Sequence, residues 1–289
     1  PQLIGGSADL SPSNNTVIDK GIQINNFGRR YIHYGVREHS MAAIANGIST
    51  FNLIPYVGTF LVFINYCLAS IRLSALSKHQ VIYILTHDSI GLGEDGPTHQ
   101  PIESLTILRS IPNCYTFRPA DGNETIGCYL KALNSKENPS CMCLSRQSLP
   151  QLKETKISEV SKGGYILYDS SSEKELDLIL IATGSEVSLC LEVAKELSKY
   201  KNVRLVSMPC QELFDEQDKD YKLTILPEKI KKLSVEAGST LCWYKYANYC
   251  YGIDSYGSSG KGNEVLDYFG FSKSKIIDFI NKVIFENNI

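Results

Sequence analysis

Apolar positions along this chain repeat with two periods, and the two alternate. Short, continuous apolar runs at residues 81–85, 176–183 and 203–207 read as buried strands, and residues 30–34, 114–118, 141–145 and 232–236 carry the same signal more weakly. Helical spacing fills the intervals. After Gly35 to His39, the residues Met41, Ile44, Ala45 and Ile48 mark one helix, closed by Gly47 and a turn at 51–55. Phe60, Phe63 and Tyr66, continued by Ala69, Leu73 and Leu76, mark a second helix with an aromatic stripe at its N-terminal end. Further helices are predicted at 102–111, 124–133 and 186–200, the last with Ser185 as N-cap, and a terminal helix starts at Ser272 with Ile276, Ile277, Ile280 and Ile284 on one side. Residues 8–15 read as a turn because Ser, Pro and Asn crowd there.

Strands that alternate with helices predict α/β architecture, here two α/β domains with mostly parallel sheets. The polar, aperiodic run 150–162 is the expected linker, which sets the domains at 1–155 and 156–289. Composition agrees: 289 residues, 43% hydrophobic and 21% charged, suit a globular chain with two cores. A net charge of −2 supplies no field for nucleic acid or an anionic membrane, so a small-molecule partner is expected. The nine cysteines lack metal-ligand spacing, and reduced thiols in the cytoplasm are expected, with Cys141 and Cys143 on opposite faces of a strand. The chain opens at Pro1 without a basic-then-apolar leader, directly into Gly5-Gly6-Ser7-Ala8-Asp9-Leu10, and reads as starting mid-protein.

The candidate chemistry centres on residues 86–103, THDSIGLGEDGPTHQPIE, which hold two of the five histidines straight after the strand at 81–85. Ligands of open α/β sheets sit at the carboxyl ends of strands. Gly91 to Gly96 also fits the dinucleotide pattern G-x-G-x-x-G, which makes an oxidoreductase the rival reading. The context opposes it, because a dinucleotide loop opens straight into a helix, whereas Gly96 is followed by Pro97-Thr-His-Gln-Pro101.

The segments GGSADLSPSN, RYIHYGVREHSMAAIANG, THDSIGLGEDGPTHQPIE, RPADGNE and LSRQSLP, followed by SKGGYILYD, LILIATGSEVSL and YGIDSYGSSGKGNEV, together resemble the transketolase family over essentially the whole chain. That resemblance implies a pyrimidine-binding domain followed by a C-terminal domain, and transfer of a two-carbon ketol unit from a ketose phosphate to an aldose phosphate. It implies thiamine diphosphate and Mg²⁺ as cofactors, with the diphosphate and metal held by an upstream domain that nothing here resembles, so no metal ligand is expected within this chain. Glu38 matches the carboxyl group that bonds the cofactor's pyrimidine and favours its imino form. Phe60, Phe63 and Tyr66 match the aromatic pocket for that ring, and Asp9 falls near where family members bridge two subunits' cofactor sites. For substrate, Asp95 matches the group that reads the donor's C2 hydroxyl, and His99 the group near the reacting carbon. Ser13, His87 and Arg146 match the phosphate site. A homodimer follows from the same resemblance. Two other readings stay open: a β-type subunit of a two-chain thiamine diphosphate enzyme, and a non-catalytic, partner-binding isoform.

Overall fold

A computed structural model describes residues 2–17, 30–171 and 175–286. The order in the first half is β1 (Leu3–Ser7), α1 (Ser11–Asn14), β2 (Tyr31–His33), α2 (Glu38–Ser49), β3 (Ile54–Phe60), α3 (Ile64–Leu76), β4 (Ile82–Thr86), α4 (Ser104–Arg109), β5 (Tyr115–Phe117), α5 (Gly122–Asn134) and β6 (Ser140–Leu144). The second half continues with β7 (Tyr165–Asp169), β8 (Leu178–Ala182), α6 (Glu186–Leu197), β9 (Val203–Ser207), α7 (Gln211–Asp215), α8 (Lys219–Ile225), β10 (Lys232–Val235), β11 (Tyr249–Tyr251), α9 (Gly262–Tyr268) and α10 (Lys273–Phe279), which runs on as a π-helix over Ile280–Glu286.

Among the described residues these strands build two sheets, β2-β1-β3-β4-β6-β5 and β11-β10-β8-β9-β7. Every pairing in the first sheet is parallel, and only β7 breaks the rule in the second by running antiparallel to β9. Two α/β units with mostly parallel sheets are what the periodicity predicts. The central strands β4 and β8 are buried along their whole length, as strands covered by helices on both faces must be.

Several local expectations are corrected. Phe60 does not begin a helix: it ends β3, Phe63 lies in a 3₁₀ turn over Leu61–Phe63, and α3 starts only at Ile64. The buried side of α3 is Ile64, Cys67, Ser70, Ile71, Ser74 and Ala75, so the stripe read from spacing is its outer face, with Tyr66, Leu73 and Leu76 exposed. In α2, likewise, Met41, Ala42 and Ala45 are buried while Ile44 is exposed. The turn expected at 51–55 ends early, because β3 begins at Ile54; Pro55 is tolerated there since β4 pairs only from Tyr56 onward. Cys141 and Cys143 share one face and one core, with Met142 in another, which is what a period of two requires of residues two apart. Ser185 lies at the start of α6 but bonds Glu186 Oε1 (2.6 Å) and caps nothing, and Ser272 likewise makes no capping bond. The linker is tied down: Thr155 Oγ1, Leu152 N and Gln151 Nε2 all donate to Asp121 Oδ2 (2.6, 3.0 and 2.6 Å), and Val160 is buried against Gly127.

Candidate active site

The carboxyl ends of β1, β3, β4 and β6 bring the expected residues to one side of the first sheet. Glu38 is the first residue of α2 and is buried, in the position where a carboxylate meets the helix's free N–H groups. Its charge acts on Cys67 in the first turn of α3, whose thiol is pushed up to about 12 by burial and then by Glu38. Glu38 therefore lies beside the first turn of α3, which carries Tyr66.

Those residues form a continuous surface with the histidines of the 86–103 loop. Phe60 stacks on His87 (ring centroids 3.8 Å) and on Phe63 (5.6 Å), while His99 meets Phe63 edge-on at 5.5 Å. Tyr66 continues the row 5.9 Å from Phe63 and is 66% exposed, so the aromatic row runs from a buried end to an open one.

His87 follows β4 with its backbone in the left-handed region (φ 63°), where a side chain other than glycine costs about 1–3 kcal/mol. The ring is buried, and Thr86 Oγ1 sits 3.0 Å from Nδ1. Burial, then the nearby Arg146 cation, hold its pKa down at about 4, against a smaller opposing pull from Asp95. His87 is thus neutral at neutral pH. It can offer one N–H donor, and the positive charge must come from Arg146.

Ser13, His87 and Arg146 line one cavity of about 430 Å³ together with Asn14, Thr86, Tyr129 and Ser145. Arg146 is exposed at the end of β6, and its guanidinium makes no ion pair among the described residues. A free fork of N–H donors beside a neutral imidazole and a hydroxyl suits an oxyanion. Asp95 is exposed in the loop, close enough for its charge to reach His87, and His99 Nδ1 lies 2.9 Å from Thr98 Oγ1. Asp9 stands apart: it is exposed after β1 with φ 63°, and no described contact joins it to the others.

Spacing alone misses Asn14. Its Nδ2 donates to Thr86 Oγ1 (2.6 Å) and its Oδ1 accepts from Ser7 Oγ (2.9 Å), which pins the Ser13 turn to β4 and β1. It also misses Asp88 and Arg118, a fully buried pair (Nε to Oδ2, 2.8 Å) directly behind His87. No periodicity flags a buried arginine at the end of a strand; only the tertiary fold pairs it. The glycines of 91–96 serve the approach of another loop, since a Cβ on Gly93 would lie 2.9 Å from Gly262 N and one on Gly96 2.2 Å from Ser259 Oγ. No helix opens at Gly96, so a dinucleotide fingerprint is ruled out there.

Comparison with known proteins bears on the family and the fold. Residues 1–151 match the transketolase pyrimidine-binding domain and residues 163–272 the transketolase-like TK C-terminal domain. Transketolase 1 of Saccharomyces cerevisiae is 51% identical over 98% of the chain, and a chloroplastic transketolase of Solanum tuberosum 48% identical over 96%. The chain spans 43% and 39% of those two relatives, less than half of either. A crystal structure of the Pichia stipitis transketolase in complex with sedoheptulose 7-phosphate superposes with a TM-score of 0.93 at 46% identity, covering 98% of this chain and 43% of that one. A split-gene transketolase described as an inactive β4 tetramer, 24% identical with a TM-score of 0.76 over 98% of this chain and 92% of that one, shares the fold. With a family domain matched over more than half its length, the chain belongs to the transketolase family.

Proposed function

We propose that residues 1–155 form the pyrimidine-binding domain and residues 156–289 the C-terminal domain of a transketolase. The enzyme would transfer a two-carbon ketol unit reversibly from a ketose phosphate to an aldose phosphate. The observation that carries this reading is a single surface on which an aromatic row, a buried carboxylate and an oxyanion-suited cavity adjoin, with His87 belonging to both row and cavity. Related transketolases have been solved with xylulose 5-phosphate and sedoheptulose 7-phosphate, which are substrates of the class this cavity suits.

The residues present fit thiamine diphosphate in its pyrimidine half: flat aromatic faces for a flat heterocycle, and Glu38 buried beside the first turn of α3, which directly follows Phe63 and carries Tyr66. When bound, thiamine diphosphate would supply an acidic ring carbon that becomes the nucleophile and a cationic ring that takes up the electron pair left when the donor's C–C bond breaks. Its diphosphate and Mg²⁺ would be held by residues outside 1–289. Glu38 would hold a proton at the pyrimidine ring nitrogen, and Phe60, Phe63 and Tyr66 would bind the ring and exclude water from that proton. His99 would bond the oxygens nearest the reacting carbon and Asp95 the donor's C2 hydroxyl. Ser13, His87 and Arg146 would hold the phosphate, and Asp9 would lie toward the second subunit of a homodimer. We place the enzyme in the cytoplasm, in keeping with thiols that are all free. No helix among the described residues is long and apolar enough to cross a membrane.

The test is an assay of the full-length protein with a ketose phosphate donor and an aldose phosphate acceptor, with and without thiamine diphosphate and Mg²⁺. Ketol transfer that requires the cofactor is the expected result. Absence of transfer from a folded, cofactor-loaded protein would overturn the reading.

A further inference from the structure

The proposed chemistry lies wholly in the first α/β unit, yet the loop that carries it is held at both ends by the second. At the near end, Asp88 follows His87 and accepts from Arg118 Nε (2.8 Å); Arg118 Nη1 then bonds Thr183 O (3.0 Å) and Glu186, both in the second unit. Glu236 Oε1 lies 3.7 Å from the same guanidinium. Glu236 is in turn gripped by Arg109 through two bonds (2.7 and 2.8 Å) and by Trp243 Nε1 (2.7 Å). All these charged side chains are at most 3% exposed. Arg118 of the first unit thus sits between its Asp88 and two glutamates of the second, and Arg109, also of the first unit, holds Glu236 from its other side. Isolated buried charges are costly, so the network fixes one relative placement of the units.

At the far end the contact is backbone against backbone. A Cβ on Gly262 would lie 2.4 Å from the Gly91 carbonyl oxygen, and one on Gly257 1.7 Å from Gln100 Oε1. Gln100 Nε2 donates to Ser258 O (2.9 Å) and reaches Ile90 O and Gly93 O (3.4 Å each), closing its own loop on the second unit's loop. Asp95 and His99 lie within the segment these fastenings hold, and His87 immediately precedes Asp88 at its near end.

We propose that the second α/β unit is a positioning element for the substrate loop, setting His87, Asp95 and His99 through the Gly91–Gly262 contact and the Asp88–Arg118–Glu186 pairs. The assignment of substrate to that loop rests on the function proposed above. The positioning itself is a property of this chain and can be read without turnover. Gly262 has no positive φ, so alanine there is opposed chiefly by Gly91 and displaces the loop from a residue that touches no substrate.

The test is Gly262→Ala in this chain, followed by NMR titration of the His87 ring and by binding of inorganic phosphate. The unsubstituted chain should titrate near 4, and the variant should move toward the ordinary 6.5 as the ring loses its packing on Phe60. Phosphate affinity should fall about tenfold, the loss expected for one misaligned charge-assisted bond. If Gly262→Ala fails to fold, Gln100→Met removes the three loop-closing bonds at nearly constant volume and should shift His87 in the same direction. A folded variant with the His87 titration unchanged overturns the proposal. Failure of the unsubstituted chain to bind phosphate counts instead against the phosphate site, and the titration still decides the positioning.

Discussion

At the residue scale, His87 and Arg146 would divide the work of the proposed anion site in a way that residue type does not announce. Burial and Arg146 hold His87 neutral, so its folded pKa of about 4 lies below the ordinary 6.5. Between those values the unfolded chain binds a proton that the folded chain refuses, and stability must fall as pH drops from about 6.5 to about 4, then level off. His87→Gln should flatten that window in denaturant melts taken across it; an unaltered slope would show that other groups set it. Arg146, by contrast, carries the charge. Arg146→Ala should raise KM for phosphorylated acceptors by roughly one to two decades, the equivalent of a charge-assisted bond of about 1.5–3 kcal/mol, and leave unphosphorylated aldehydes nearly untouched. Equal losses for both acceptors would make the residue structural. Glu38, His87, Asp95, His99 and Arg146 were all legible because the family resemblance gives each of them a role. Asp88 and Arg118 were not, since what distinguishes them is burial against a second unit, and burial of a charge leaves no periodic trace.

At the scale of elements, type was readable where an element's neighbours impose a strong pattern, and boundaries were not. Central strands β4, β8 and β9 stood out because helices cover both faces, which forces continuous apolar runs. Short strands such as β1, β7 and β11, at or near the sheet edges, escape a reading by apolar runs. Helix α3 shows a subtler failure: its outer face is apolar, so spacing picked Tyr66, Leu73 and Leu76 and missed a core side that includes Ser70 and Ser74. Those serines are buried because they are bonded, Ser74 Oγ to Tyr83 OH at 2.7 Å and Ser70 Oγ to His39 at 3.3 Å. In β1 the glycines of the GGSADL motif have a packing cause. A Cβ on Gly5 would lie 1.7 Å from Tyr56 O in the neighbouring strand β3. Gly5→Ala should therefore destabilise by about 1–3 kcal/mol through overpacking, seen as a lower denaturant midpoint. A neutral substitution would show that β1 can shift freely between β2 and β3.

At the scale of the whole molecule, the outward apolar faces of α2 and α3 bear on assembly. Ile44, Tyr66, Leu73 and Leu76, on two helices that pack side by side, and Phe51 in the turn after α2 are each at least 47% exposed. Apolar surface of this kind seldom stays bare in water, and a two-fold pairing is the simplest way to cover it. The chain should self-associate in sedimentation velocity runs, and Leu73→Glu with Leu76→Glu should return it to monomer. A wild-type monomer at every concentration would contradict this. The central claim, that this surface receives the pyrimidine half of thiamine diphosphate and that Glu38 governs its proton, is tested most directly by exchange of the cofactor's thiazolium C2 proton for deuterium. In the full-length protein Glu38→Gln should slow that exchange by about 10²- to 10⁴-fold while the fold and the cofactor stay in place. Exchange at the wild-type rate in the variant would contradict the account.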